Sequence, residues 1–213
     1  MKDSLKLILV TQRDSTPIDN YLRFIERCAR AGVTAVQLRE KGASYDLLLE
    51  FARRLKETLA PFEIPLIIND SIDLAQAVEA EGVHLGQTDG SPEAAREILG
   101  ENALIGQSIE SLEELDKANA SQALNYVAAS AVFETKTKKN LKKIWGLSGL
   151  KDLAARSNHP VIGIGGINLS NVDQVIDSGA QGVAVVSTLH SVEDLEQGCS
   201  QLLSAVNRGA CHA

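Results

Sequence analysis

The chain has 213 residues, 44% hydrophobic and 23% charged, and carries a net charge of −7 at pH 7. That is enough chain to bury a large core in one sizeable domain, and the acidic balance argues against nucleic acid or an anionic membrane as partner, since both reward basic surfaces. No apolar run approaches the roughly 20 residues of a membrane helix, "MKDSLKLILVTQRD" is too quickly charged for a secretory leader, and Cys28, Cys199 and Cys211 are too scattered for a disulfide framework or zinc site, so a cytoplasmic setting is expected.

In chain order, "LKLILVT" reads as a first strand, followed by Ile18, Tyr21, Leu22, Ile25 and Ala29 at helical spacing. "AVQLRE" is the second, and Leu48, Phe51, Ala52, Leu55 and Leu59 repeat the helical pattern after it. "PLIIND" and "GVHLGQ" come next, and "SPEAAREIL" then opens a helix with Ser91 as N-cap and Pro92 at its first position. "LIGQS", "NYVAASAVF", "VIGIGGI" and "GVAVVST" complete the strands, and Val192, Leu195, Cys199, Leu202, Leu203 and Val206 line a final helix. Strands alternating with helices predict a parallel sheet covered by helices. Eight such pairs predict closure into a single (β/α)8 TIM barrel with short loops, one domain over residues 1–213. A doubly wound open sheet ranks second, because no interior strand lacks its helix.

In such a barrel the active site lies at the C-terminal ends of the strands. In "AVQLREKG", side chains alternate, so Val36 and Leu38 share one face while Gln37, Arg39 and Lys41 share the other. An amide and two cations converging on an enclosed space suit an anion; on a frayed strand end they would be ordinary solvated charges. The third strand ends on Asn69 and Asp70, the fourth runs through Gln87 to Asp89, and the fifth ends on Ser108. Asp70 and Asp89 close neighbouring strands and can share a hard cation, Mg2+ being held by one or two carboxylates with water and phosphate oxygens. Asp70 also fits a second role, as cap of the next helix. His84, inside a strand, fits a structural histidine better than a ligand. "GIGGI" and "GVAVVS" let backbone N–H groups approach a phosphate at the loops after strands seven and eight. "KTKKNLKK" sets five lysines in eight residues, yet no aromatic residue interleaves them as a nucleic-acid patch requires. Thr135, Thr137 and Lys138 fit phosphate oxygens there, the rest fits a solvated loop, and Trp145 fits an anchor for it.

Together "QLREK", "IIND", "GVHLGQTD", "IGQS", "TKTK", "GIGGI" and "GVAVVS" resemble, in order and spacing over nearly the whole chain, the thiamine-phosphate synthase family. The resemblance implies transfer of a hydroxymethylpyrimidine from its diphosphate to the nitrogen of a thiazole phosphate, with release of diphosphate, by a dissociative path through a pyrimidine cation. It further implies that Gln37, Leu38, Arg39, Glu40, Lys41, Asn69, Ser108 and Lys138 hold the pyrimidine diphosphate. Asp70 and Asp89 would bind Mg2+, and Thr135, Lys136, Thr137, Gly166, Val186 and Ser187 the thiazole phosphate. Arg39, Lys41 and Lys138 are then the catalytic cations, stabilising charge that grows on the leaving group. The partners are small-molecule substrates, and a homo-oligomer is left open.

Two departures stand out. The family's glycine- and proline-containing stretch is replaced by "AASAVFE", Ala128 to Glu134, which changes backbone freedom and adds Glu134 beside an anion site. Ser71 follows Asp70 where arginine is frequent. Both bear on affinity more than on reaction type. A thiazole tautomerase-like isomerase and a non-catalytic sensor of thiamine precursors are the rival readings; the former has no use for Lys41, Lys138 and paired aspartates.

Overall fold

A computed structural model describes residues 2–135, 137 and 143–210. Its eight strands are short and buried: β1 Leu7–Val10, β2 Ala35–Leu38, β3 Leu66–Asn69, β4 Gly82–Leu85, β5 Leu104–Ile109, β6 Tyr126–Ser130, β7 Val161–Ile164 and β8 Gly182–Val185. They pair in parallel in sequence order and β8 closes onto β1, the expected (β/α)8 barrel. A parallel strand covered on both faces needs apolar residues on both, which is why "LILV" is buried at every position.

Alternation sorts those residues into two layers. Ile8, Val10, Ala35, Ile67, Tyr126, Ile162 and Ala184 fill the barrel interior, joined by Leu5 from a 3-10 turn at Lys2–Leu5. Leu7, Leu9, Val36, Leu38, Leu66 and Ile68 face outward, under the helices. Those helices are α1 Ile18–Arg30, α2 Tyr45–Leu59, α3 Ile72–Ala77, α4 Pro92–Leu99, α5 Leu112–Ala120, α6 Gly146–Arg156, α7 Val172–Asp177, α8 Thr188–Ser191 and α9 Leu195–Ala210.

Local chemistry fixes where several helices begin. Ser44, Ser71, Ser91 and Ser111 each accept the N–H three residues on, which satisfies a donor no helical carbonyl can reach. Ser71 therefore caps α3, and Asp70 is freed from that role. The final helix starts later than its apolar spacing suggests: Val192 lies in extended backbone after α8, and Asp194 accepts the Gln197 N–H. Cys28 and Cys199 are buried free thiols; burial raises both, Cys199 to about 11, which keeps them protonated and unreactive. No helix among the described residues is long and apolar enough to cross a membrane.

Candidate active site

Every strand, or for β8 the residue just beyond it, delivers an inward side chain to one cavity at the C-terminal mouth. Val10, Gln37, Asn69, His84, Ser108, Ser130, Ile164 and Val186 line its floor and walls, and its volume is about 350 Å³. Arg39 and Lys41 continue the inward face of β2 beyond the strand, as alternation requires, and Asp70, Asp89, Thr135 and Thr137 complete the rim. Loops one and two are stitched together here: the Arg39 N–H donates to Thr11 Oγ1 at 2.9 Å, and the Arg13 N–H donates to Glu40 Oε1 at 3.0 Å.

The floor is a buried polar network. His84 meets the Tyr126 hydroxyl through Nδ1 at 3.0 Å and Ser108 Oγ through Nε2 at 2.9 Å. Tyr126 also hydrogen-bonds Gln37, although its burial dominates and raises the phenol above its ordinary value. With both ring nitrogens engaged, His84 orients Ser108 rather than offering a free base, in line with the structural role its place in the strand suggested. Tyr126 fits because β5 carries Gly106 beside it: a Cβ there would lie 2.1 Å from Tyr126 Cζ. Tyr126, Ser130 and Glu110 were not singled out from the sequence. The "YVAAS" strand gave Tyr126 no mark of its own, since an apolar run hides which aromatic has a polar partner.

At the β3–β4 edge the chemistry is ionic. Asp70 keeps solvent access, yet the cavity walls withdraw enough water to push its carboxyl up to about 6. The hydrogen bond and charge of Asp89 add to that rise; Lys41 and Arg39 oppose it. Two carboxylates near enough to share a proton form a site that a divalent cation would neutralise instead. Among the described residues no cluster of three or more His, Cys, Asp or Glu ligands occurs, so the donor set fits Mg2+, which takes few protein ligands, better than a cage-bound metal. Asp89 also accepts the Gly86 N–H at 2.8 Å, which holds the turn after β4. Burial lowers Arg39, while Asp70 and Glu40 oppose that shift.

The opposite edge carries no charged side chain among the described residues that line it. A second cavity of about 460 Å³ opens beside the first, sharing Thr135, Thr137, Gly165 and Val186 with it and adding Gly166, Asn168 and Ser187. Gly166 has φ +66, and a Cβ would meet Glu134 O at 2.6 Å, so the backbone there can neither be rebuilt with a side chain nor withdrawn. A hydrogen-bond relay supports this edge from outside. The Gln12 N–H donates to the Tyr21 hydroxyl at 2.9 Å, which meets His190 Nε2 at 2.9 Å; His190 Nδ1 meets the Val186 carbonyl at 2.7 Å. Because a carbonyl only accepts, Nδ1 carries the hydrogen and Nε2 accepts from Tyr21.

The family model described as thiamine monophosphate synthase matches residues 7–189. A thiamine-phosphate synthase of Chlamydia caviae is 42% identical over 208 residues, 98% of each chain. One of Vibrio campbellii is 41% identical over 201 residues, 94% of this chain and 98% of that one. Among solved structures, a thiamine phosphate pyrophosphorylase from Pyrococcus furiosus superposes with a TM-score of 0.85 at 32% identity, covering 98% of both chains. The chain belongs to the thiamine monophosphate synthase family.

Against that family, the residues singled out from sequence divide by place. Gln37, Arg39, Lys41, Asn69, Asp70, Asp89, Ser108, Thr135, Thr137 and Val186 line the first cavity, and Gly166 and Ser187 the second. Leu38 does not reach either: its side chain packs outward into the core, because its parity is opposite to that of Gln37. Glu40 faces a separate cavity with Arg13. Lys136 and Lys138 lie outside the described residues. Of the replaced family stretch, Ser130 and Ala131 are buried and line the first cavity, and Ser71 owes its place to capping α3. Trp145 anchors the strand-six loop, its indole N–H donating to the Ile109 carbonyl at 3.0 Å.

Proposed function

We propose that this chain joins a hydroxymethylpyrimidine, delivered as its diphosphate, to the ring nitrogen of a thiazole phosphate, giving thiamine phosphate and inorganic diphosphate. The observation that carries the reading is the pairing of a cationic and carboxylate edge with a glycine and hydroxyl edge in one continuous space. Gln37, Asn69 and Ser108 on the floor orient the pyrimidine. Arg39 and Lys41, with Lys138 on the strength of the family resemblance, hold the diphosphate. Thr135, Thr137, Gly166, Val186 and Ser187, with Lys136 on the same basis, hold the thiazole phosphate.

The chemistry asks little of proton transfer. The thiazole nitrogen supplies the electron pair for the new C–N bond, and the pair of the breaking C–O bond leaves on the diphosphate. No proton leaves that nitrogen, so no general base is needed, and none is offered by His84. Arg39 and Lys41 sit where charge grows on the leaving oxygen, so they stabilise the transition state more than the bound substrate. Asp70 and Asp89 would hold Mg2+, which supplies further charge neutralisation to the diphosphate when bound.

Incubation of the purified protein with both substrates should yield thiamine phosphate and diphosphate in equal amounts, with a requirement for Mg2+. Ligand binding with no thiamine phosphate formed would instead mark a sensor. Rearrangement of the thiazole alone would mark an isomerase.

A further inference from the structure

Beside the reaction cavity lies another of about 460 Å³, between the β1–α1 and β2–α2 connections, lined by Arg13, Asp14, Arg39, Glu40, Lys41 and Gly42 among others. Arg39 and Lys41 belong to both cavities, whereas Asp70 and Asp89 line only the first. The space is therefore continuous with the diphosphate edge but removed from the carboxylate pair. Its own two carboxylates are already engaged: Glu40 accepts the Arg13 backbone N–H, and Asp14 accepts from Gln12 Nε2 at 3.3 Å.

Arg13 itself is held but not satisfied. One guanidinium nitrogen donates to the Thr16 carbonyl, and the guanidinium carbon lies 5.9 Å from the centre of the Phe51 ring. Its Nε is shielded from solvent and has no hydrogen-bond partner among the described residues. The Thr16 carbonyl takes one of the five guanidinium N–H donors and Nε is shielded, so the remaining terminal N–H groups are the ones left for a planar or tetrahedral oxyanion in the cavity. The Glu40 contact fixes its loop against the strand that carries Arg39, so the cations are set before any anion arrives. Gly42 has open space at its Cα, which leaves room for the anion between the loops.

We propose that Arg13, with Arg39 and Lys41, forms an anion subsite that takes the departing diphosphate. The idea rests on the diphosphate-releasing reaction argued above. Among the described residues Arg13, Arg39 and Lys41 outnumber Asp14 and Glu40 in this space, so an anion leaving the reaction centre keeps Arg39 and Lys41, gains Arg13, and moves away from Asp70 and Asp89. Arg13 is thus a product-binding residue, distinct from the groups that act on the breaking bond.

The test measures inorganic diphosphate directly, by calorimetric titration with and without Mg2+, and as a product inhibitor of the full reaction. Arg13→Ala should weaken both by about tenfold, the effect of one lost charge-assisted contact, and leave the thiazole-phosphate KM unchanged. Arg13→Lys, which retains charge and some packing on Phe51, should recover part of the loss, and thermal melting of each variant checks that the loop is intact. Equal diphosphate affinity in the unsubstituted protein and in folded Arg13→Ala overturns the subsite. The titration needs no turnover, so it decides on Arg13 even where a failure to form thiamine phosphate had removed the parent reading.

Discussion

Asp70 has φ +67, a left-handed backbone that Asp and Asn tolerate better than other side chains. Asp70→Asn is therefore a clean substitution, removing charge without straining the turn. Its carboxyl titrates near 6 in the folded chain, above the roughly 4 of an unfolded aspartate, so the folded chain binds that proton more tightly. The stability it contributes is fully present below about pH 4 and is lost as pH rises through about 6. In chelator at neutral pH, Asp70→Asn should then melt higher than the unsubstituted protein, and the gap should close near pH 4. Mg2+ should raise the melting temperature of the unsubstituted protein and have little effect on the variant. A variant that melts lower in chelator at neutral pH would refute the strained carboxylate pair. The two edges of the cavity separate in kinetics. With Lys41 on the diphosphate as proposed, Lys41→Ala should cost about 1.5–3 kcal/mol of contact to a growing charge, or roughly ten- to over a hundredfold in kcat. With Ser187 on the thiazole phosphate as proposed, which does not change in the reaction, Ser187→Ala should raise the thiazole-phosphate KM and spare kcat. The reverse pattern in steady-state kinetics would exchange the two edges.

The β8–α8 connection shows how an element outside the cavity sets its geometry. Val186 lines both cavities, and its carbonyl is held by His190, which Tyr21 of α1 holds in turn. His190→Ala should raise the thiazole-phosphate KM about fivefold, the effect of one hydrogen bond, with kcat little changed. Tyr21→Phe, which deletes only the hydroxyl, should act in the same direction, and the double variant should do no more than the stronger single one. Additive KM effects would show that the two residues act separately. At this scale much was readable in the sequence. Helical spacing of Ile18, Tyr21, Leu22, Ile25 and Ala29 and the Ser91–Pro92 start are local signals, and each lies in the predicted helix. What local signals could not give was choice between neighbours. Asp70 and Ser71 are both good caps, and only the fold assigns the cap to Ser71. Val192 has the spacing of α9 but falls in the turn before it, where Asp194 begins the helix. Tyr21 reads as a core residue from spacing alone, because its partner His190 is far along the chain.

For the whole molecule, closure of the barrel brings Gly106 and Tyr126 side by side in register, and no spacing within either strand announces that pair. The inward parity of Gln37, Arg39 and Lys41 was legible because it needs one strand; the floor of the cavity was not, because it needs β2, β4, β5 and β6 together. The Tyr126 ring fills the barrel interior, while its hydroxyl carries the hydrogen bonds that orient His84 and, through it, Ser108. Packing and site geometry thus share one residue. Gly106→Ala would force a methyl group against that ring, and overpacking of this kind costs about 1–3 kcal/mol. In a chain of this length that lowers the melting temperature by roughly 2–12 °C. Tyr126→Phe in the Gly106→Ala background should not relieve the clash, because Cζ and Cε1 remain. Tyr126→Leu should relieve it, so Gly106→Ala with Tyr126→Leu should be more stable than the two single losses add up to. Activity should stay low in that pair even where the melting temperature recovers, since the Tyr126 hydroxyl no longer fixes the His84 ring that meets Ser108. Strictly additive losses in melting would mean that the glycine and the ring do not meet in solution, and the coupling from barrel interior to cavity floor would fall with that contact.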